Sequence, residues 1–395
     1  MDKIWSYLEE LEVELINLRR EIHKNPELGF KELETQEMII DFLSELDLEI
    51  EVMAKTGVVA LLDCGVGPTI AFRADMDALP LQEQTELDYA SQKKGIMHAC
   101  GHDGHVAILL ILAKVLAKFK NNLSGKIKFI FQPAEEGPGG AKQIIDEGAF
   151  KNPEVDKIFG LHISNELETG IVGIQPDIAS ASSDELDIII KGKAGHVSTP
   201  HQGVDAIVVA ADIITTLQNL LTRQVDPLDT ITCNIGLIEG GDRRNIIADK
   251  VKLKGTVRTT NPELREGISE KIKNMLIGIT SAYGADFELD YRFGYPVLAN
   301  SSQLLDEIKV DLEASDYIKK LQEIKKPSLG SEDFAYYLQE VPGLFFRLGA
   351  KGKNSNYCCH HPKFNFDEAA LKIGVALFLK LAFISLQDED ISDRI

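Results

Sequence analysis

Apolar residues recur at helical spacing at the amino terminus, where Ile4, Leu8, Leu11, Leu15, Leu18 and Ile22 stand among acidic positions. The spacing predicts an amphipathic helix rather than a secretion signal. The stripe also fits about two and a half heptads, which is too short for a coiled coil, so its apolar side is assigned to a core. From Gly57 to Ile163 the pattern changes to short β-rich runs separated by helical ones, the mark of a mainly parallel sheet covered by helices. Val58 to Leu62, Ile70 to Arg73, Ile127 to Gln132 and Ile158 to Ile163 read as buried strands. Val106 to Phe119 and Ala141 to Phe150 read as helices. In such sheets ligands collect at the carboxyl ends of strands, where loops lead into helices.

A third pattern begins near Ala181. Glu185 to Lys191, Thr230 to Leu237, Lys250 to Thr256 and Asp286 to Tyr291 read as strands, with helices at Val204 to Thr222 and Pro262 to Ala282. Together they make an α+β insert of about 110 residues, the size of a small domain. The predicted fold class is therefore α/β: a mainly parallel central sheet with helices on both faces, plus the inserted α+β domain. The catalytic domain is discontinuous, residues 1–181 and 295–395, and the insert spans 182–294.

Length agrees with more than one domain, since 395 residues exceed the roughly 150 typical of one core. No apolar run approaches the roughly 20 residues needed to cross a bilayer, so no membrane partner is expected. With 62 acidic against 42 basic residues the formal charge is -20, which repels polyanions and excludes nucleic acid. Small solutes are the expected partners. The five cysteines, Cys64, Cys100, Cys233, Cys358 and Cys359, show no disulfide framework, as expected in a reducing cytoplasm.

The chemistry concentrates in MHACGHDGH, where Cys100 and three histidines fall between His98 and His105 of a chain with only nine histidines. Thiolate and neutral imidazole suit a borderline-soft divalent ion such as zinc. Further donors lie at predicted strand ends: Glu135 and Glu136 in QPAEEGPGG, His162 in GLHIS, and His360 with His361 in CCHHPKF. Two divalent ions roughly 3.5–4 Å apart need about this many side chains around an activated water. The segment after Tyr295 rejoins the first domain because His360 needs metal-site neighbours. Adjacent glutamates on an extended backbone point in different directions, so one can bind metal while the other faces substrate as a base. Each of these residues alone also has a bland reading, as a core histidine or a solvated acidic loop.

RREIHKNPELGFKE (Arg19 to Glu32), AFRADMDALP (Ala71 to Pro80), MHACGHDGH, FQPAEEGPGGA, GKAGHVSTPHQGVDA and HHPKFNFDE occur in that order between residues 19 and 368. In these blocks the chain resembles the amidohydrolase branch of the zinc aminoacylase and carboxypeptidase family. That branch includes hippurate hydrolase, N-acetyldiaminopimelate deacetylase and the plant indoleacetyl-amino acid hydrolases. The resemblance implies that Cys100, His102, Glu136, His162 and His360 are metal ligands and that Glu135 is the general base. His360 rather than His361 is chosen because the family's ligand stands two residues before Pro362.

The insert resembles the family's lid and dimerisation domain. There, His196 matches a histidine that stabilises the oxyanion in a facing subunit's site, and Asn245 and Arg258 match the substrate-carboxylate contacts. The bland reading of Arg258 is a strand arginine in a salt bridge. His98 and His105 match no ligand, and Asp75 and Asp77 are expected to orient ligands from outside. Ser331 is a candidate N-cap near Glu332 and Asp333. Cys358 and Cys359 depart from the family's usual apolar residue, and small-residue packing is their expected role.

The implied activity is hydrolysis of the amide bond of N-acyl (N-acetyl or aromatic acyl) amino acids, with two divalent metal ions per subunit. Zinc or manganese is expected, with nickel or cobalt as alternatives. A cytoplasmic homodimer formed through the insert is implied as well. The competing readings are a metallocarboxypeptidase or dipeptidase on small peptides, and a non-catalytic metal-binding protein.

Overall fold

The computed structural model describes residues 2–353 and 357–386. The chain divides into a larger unit, Met1–Asp177 with Asn300–Lys326 and Tyr336–Ile395, and a smaller one, Ile178–Ala299 with Pro327–Ala335.

The larger unit is built on eight strands in the order Glu49–Met53, Gly57–Asp63, Lys126–Gln132, Thr69–Asp75, Lys157–Glu168, Gly343–Lys351, Ile171–Ile174 and Lys320–Glu323. The middle of this sheet, from Lys126–Gln132 to Gly343–Lys351, is parallel. Gly57–Asp63, read from sequence as a buried strand of a mainly parallel sheet, runs antiparallel to both its neighbours. The reason is connection length: residues 64–68 are too few for the dozen or more a parallel crossover needs. Thr69–Asp75 is buried at every position, as a central parallel strand should be. Its two charged residues must therefore be paired, and Arg73 Nη1 donates to Asp75 Oδ2 at 2.7 Å.

The helices His102–Lys118 and Ala369–Leu386 lie in the core of this unit. Ala369–Leu386 comes nearer to membrane-spanning composition than the sequence reading allowed, with a mean hydropathy of 2.0 over 18 residues. A helix surrounded by protein is apolar nearly all round for the same reason as one surrounded by lipid, and two thirds of this one is buried. The amino-terminal stripe forms two helices, Asp2–Glu10 and Glu12–Lys24, rather than one. At Leu11 the chain tightens, its N–H lying within reach of both Tyr7 O and Leu8 O, while the stripe stays buried through the break. The helix predicted to reach Phe150 stops at Asp146, and Gly148 with φ 101° turns the chain away.

The smaller unit runs strand, helix, strand, strand, helix, strand: Ser183–Lys191, Ala206–Arg223, Ile231–Gly240, Lys250–Thr259, Pro262–Tyr283 and Asp286–Tyr295. Its four strands are antiparallel with Ser183–Lys191 and Lys250–Thr259 in the middle, the split βαβ arrangement. Asp205 and Asn261 cap its two helices, accepting from Ile207 N–H and Leu264 N–H. Ser331 caps nothing among the described residues: the nearby helix begins only at Ala335, and Glu332 takes the Phe334 N–H at 3.0 Å.

Candidate metal centre

Two glycines bring the first donors together. Gly101, at φ 95°, turns the loop into the helix His102–Lys118, so that Cys100 and His102 flank the turn. A Cβ on Gly104 would lie 2.6 Å from Ile163 Cδ1, so glycine lets the first helical turn sit close to the strand Lys157–Glu168 without displacing that side chain. That strand carries His162, whose Nε2 comes 3.3 Å from Cys100 Sγ. The donor atoms of Cys100, His102 and His162 all lie within 4.8 Å of one another.

Both imidazoles are oriented as ligands are. His102 Nδ1 lies 2.9 Å from the Asp77 carbonyl oxygen and His162 Nδ1 lies 2.7 Å from that of Ile163. A carbonyl only accepts, so each Nδ1 donates, which in a neutral imidazole leaves the Nε2 lone pair free. Burial holds His162 well below the usual imidazole range and so neutral. His102 Nε2 is buried with no hydrogen-bond partner, a costly state unless something binds there. His105 is different: its Nδ1 meets Asp75 Oδ1 at 2.5 Å and its Nε2 accepts the Ile163 N–H at 3.0 Å, so no lone pair is left to offer.

The glutamate pair lies on a turn, not on the extended backbone expected from sequence. Ala134 adopts φ 55° and its N–H donates to Glu32 Oε1 at 3.0 Å. Asp77 then clamps the next two residues, its Oδ1 accepting from Glu135 N–H and its Oδ2 from Glu136 N–H, both at 3.0 Å. From this clamp the two carboxylates stay close together, their oxygens and a His102 ring nitrogen all lying within 4.8 Å of one another. Glu136 joins Cys100 and His360 in a second group of donors within 4.8 Å, and its Oε1 is 3.0 Å from His360 Nε2. Glu135 is 7% exposed, with Oε2 4.0 Å from His102 Nε2. His360 holds a left-handed φ of 67°. The two donor groups share Cys100.

His196, Asn245 and Arg258 lie on the smaller unit. His196 pairs with Ile246 in a two-residue ladder, so Asn245 stands next to it in the fold. His196 Nδ1 is 2.7 Å from Ser198 Oγ, and both His196 and Asn245 are exposed. Arg258 is half-buried and makes no ion pair among the described residues, contrary to the bland salt-bridge reading; its Nη1 donates to Leu329 O at 2.8 Å.

Residues 71–383 match the family described as peptidase family M20/M25/M40. The chain belongs to this family. It is 38% identical over 376 residues to N-acetylcysteine deacetylase of Bacillus subtilis, covering 94% of this chain and 97% of the relative. Thermostable carboxypeptidase 2 of Saccharolobus solfataricus is 36% identical over 390 residues, covering 97% and 98%. Among solved structures, a dinuclear metal-binding peptidase of the M20 family from Bacillus subtilis superposes with a TM-score of 0.83 at 36% identity, over 96% of this chain and 99% of that one.

In this M20 chain a buried network that sequence reasoning missed supports the donors. Arg19 Nε meets Asp103 Oδ2 at 2.8 Å, Nη1 reaches Tyr89 Oη at 2.8 Å and Glu368 Oε1 at 3.0 Å, and Nη2 reaches Asn365 Oδ1 at 3.0 Å. His23 Nδ1 shares Asp103 Oδ2 at 2.8 Å. Burial alone would raise Asp103, but Arg19 and His23 hold it well below the usual carboxylate range. The signal was present: Arg19 and His23 sit four apart beside the apolar stripe, one helical turn of charge on a buried face. His98 is fully buried and pushed down to about 3 by that burial, hence neutral. Cys358 is exposed and Cys359 half-buried, so only Cys359 fits the packing role expected of both.

Proposed function

We propose that the chain hydrolyses the amide bond of N-acyl amino acids to a carboxylic acid and a free amino acid. The observation that carries this reading is the convergence of five donors, in two groups sharing Cys100, beside the buried carboxylate of Glu135. The deacetylase relative supports the substrate class.

The orphaned His102 Nε2 and the mixed sulfur, nitrogen and oxygen donors fit divalent metal. Cys100, His102, Glu136, His162 and His360 would hold two such ions, with zinc favoured by the thiolate and manganese, cobalt or nickel as competitors. When bound, the pair supplies Lewis acidity toward the amide carbonyl and lowers the pKa of water toward roughly 7. Glu135 accepts the proton of the attacking water and returns it to the leaving nitrogen. Asp77 keeps that carboxylate aimed by holding the backbone N–H groups of the pair.

The smaller unit serves as lid and dimerisation domain. His196 donates to the developing oxyanion in a partner's site, while Asn245 and Arg258 hold the substrate's free carboxylate, a guanidinium fork being suited to it. Five unpaired thiols agree with a cytoplasmic setting.

One amine-release assay on metal-loaded enzyme tests the reading against its rivals. N-acetyl amino acids and benzoylglycine should exceed dipeptides in kcat/KM. Preference for dipeptides would establish the carboxypeptidase reading, which the Saccharolobus relative favours. Failure on every amide with zinc, manganese, cobalt and nickel would leave a metal-binding protein without catalysis.

A further inference from the structure

The segment just before His360 is laid directly against the Cys100 loop. His360 N–H donates to Ala99 O at 2.8 Å, and Cys359 Sγ lies 3.9 Å from Cys100 O. The two segments therefore pass in opposite senses, Ala99 facing His360 and Cys100 facing Cys359. A disulfide needs Cα atoms roughly 4.4–6.8 Å apart, and the 3.9 Å approach of the Cys359 sulfur to the Cys100 carbonyl brings the two residues within reach of one. The two thiols also interact side chain to side chain. Cys359 is half-buried and reachable by a small oxidant, whereas Cys100 is 7% exposed.

We propose that Cys100 and Cys359 form a peroxide-oxidised dithiol whose disulfide removes Cys100 from the donor set. The consequence for the donor set rests on the proposed role of Cys100 as a ligand; the disulfide itself does not. Cys359 Sγ attacks one oxygen of hydrogen peroxide, the O–O bond breaks, and a sulfenic acid forms with release of water. Cys100 Sγ then attacks that sulfur, the S–O bond breaks, and the hydroxyl leaves with the thiol proton as a second water. Two thiols lose two electrons and two protons, and the peroxide takes up both. A metal ion on Cys100 competes for the same sulfur, so the reaction belongs to the metal-depleted protein.

The test treats the purified enzyme with hydrogen peroxide, as isolated and after a chelator. The chelator-treated protein should lose two of its five thiols. Its mass should fall by about 2 Da, and a peptide map should show a Cys100–Cys359 link that dithiothreitol reverses. Zinc uptake should be lost on oxidation and recovered on reduction. Cys359→Ser should keep its zinc uptake through the same treatment, and Cys358→Ser should behave as wild type. A Cys358–Cys359 link, or sulfinic acid on Cys100 beside a reduced Cys359, overturns the proposal. A Cys100–Cys359 link that leaves zinc uptake intact supports the dithiol and overturns the assignment of Cys100 as a ligand.

Discussion

Each unit contains a buried arginine–aspartate clamp, and the two hold different things. In the smaller unit Asp184 accepts from Arg265 Nη2 at 2.8 Å, from Tyr291 Oη at 3.0 Å and from Gly294 N–H at 3.1 Å. These bonds tie the helix Pro262–Tyr283 to the sheet, and none of the partners bears chemistry. In the larger unit Arg19 and His23 close on Asp103, the residue after His102. The same device that fastens framework in one place stands, in the other, beside His102, which we propose as a metal donor. Buried ion pairs add little net stability because desolvation consumes the attraction, so the second clamp is better explained by the geometry it enforces.

Glu135→Gln separates chemistry from framework most sharply, because it keeps the shape of the side chain and removes its basicity. Turnover should fall about 10³-fold while metal content, read by plasma emission, stays at two ions per chain. A fall of less than about tenfold would take the proton-transfer role away from Glu135.

The clamps themselves come next. Arg19→Met leaves Asp103 buried without its main cation, which should cost about 3–5 kcal/mol in urea unfolding and lower metal content as His102 loses its aim. Arg265→Met leaves Asp184 with the Tyr291 hydroxyl and the Gly294 N–H, so the loss should be nearer 1.5–3 kcal/mol with metal content unchanged. Equal metal loss in both variants would erase the distinction between the two clamps.

How much of this was legible from sequence divides along a physical line. Buried parallel strands announce themselves as unbroken apolar runs, and scarce residue types such as Cys100, His102 and His162 stand out wherever they fall. The α+β insert was readable from its change of period, down to the helix Pro262–Tyr283. That Asp77 orients ligands was expected, but the particular bonds by which it holds the donors were not readable. Asp77 fastens Glu135 and Glu136 across more than fifty residues, and no local pattern encodes that bond. The direction of Gly57–Asp63 was hidden for a related reason, since apolar runs carry no polarity and only the short link at residues 64–68 decides it.

Arg258 gives the smallest effect and probes whether the smaller unit is framework alone. Its guanidinium spends one donor on Leu329 O and faces no carboxylate among the described residues, so most of its fork is available to a substrate. Hydrogen bonds to a charged group contribute about 1.5–3 kcal/mol, so Arg258→Ala should raise KM roughly 10- to 100-fold with little change in kcat. Arg258→Lys keeps the charge but not the two-pronged geometry and should recover only part of that loss. The N-acyl amino acid amide, which lacks the carboxylate, should be cleaved equally by wild type and both variants. Equal losses on the acid and the amide would mean that Arg258 supports structure rather than recognition, and the smaller unit would then have no demonstrated part in reading the substrate.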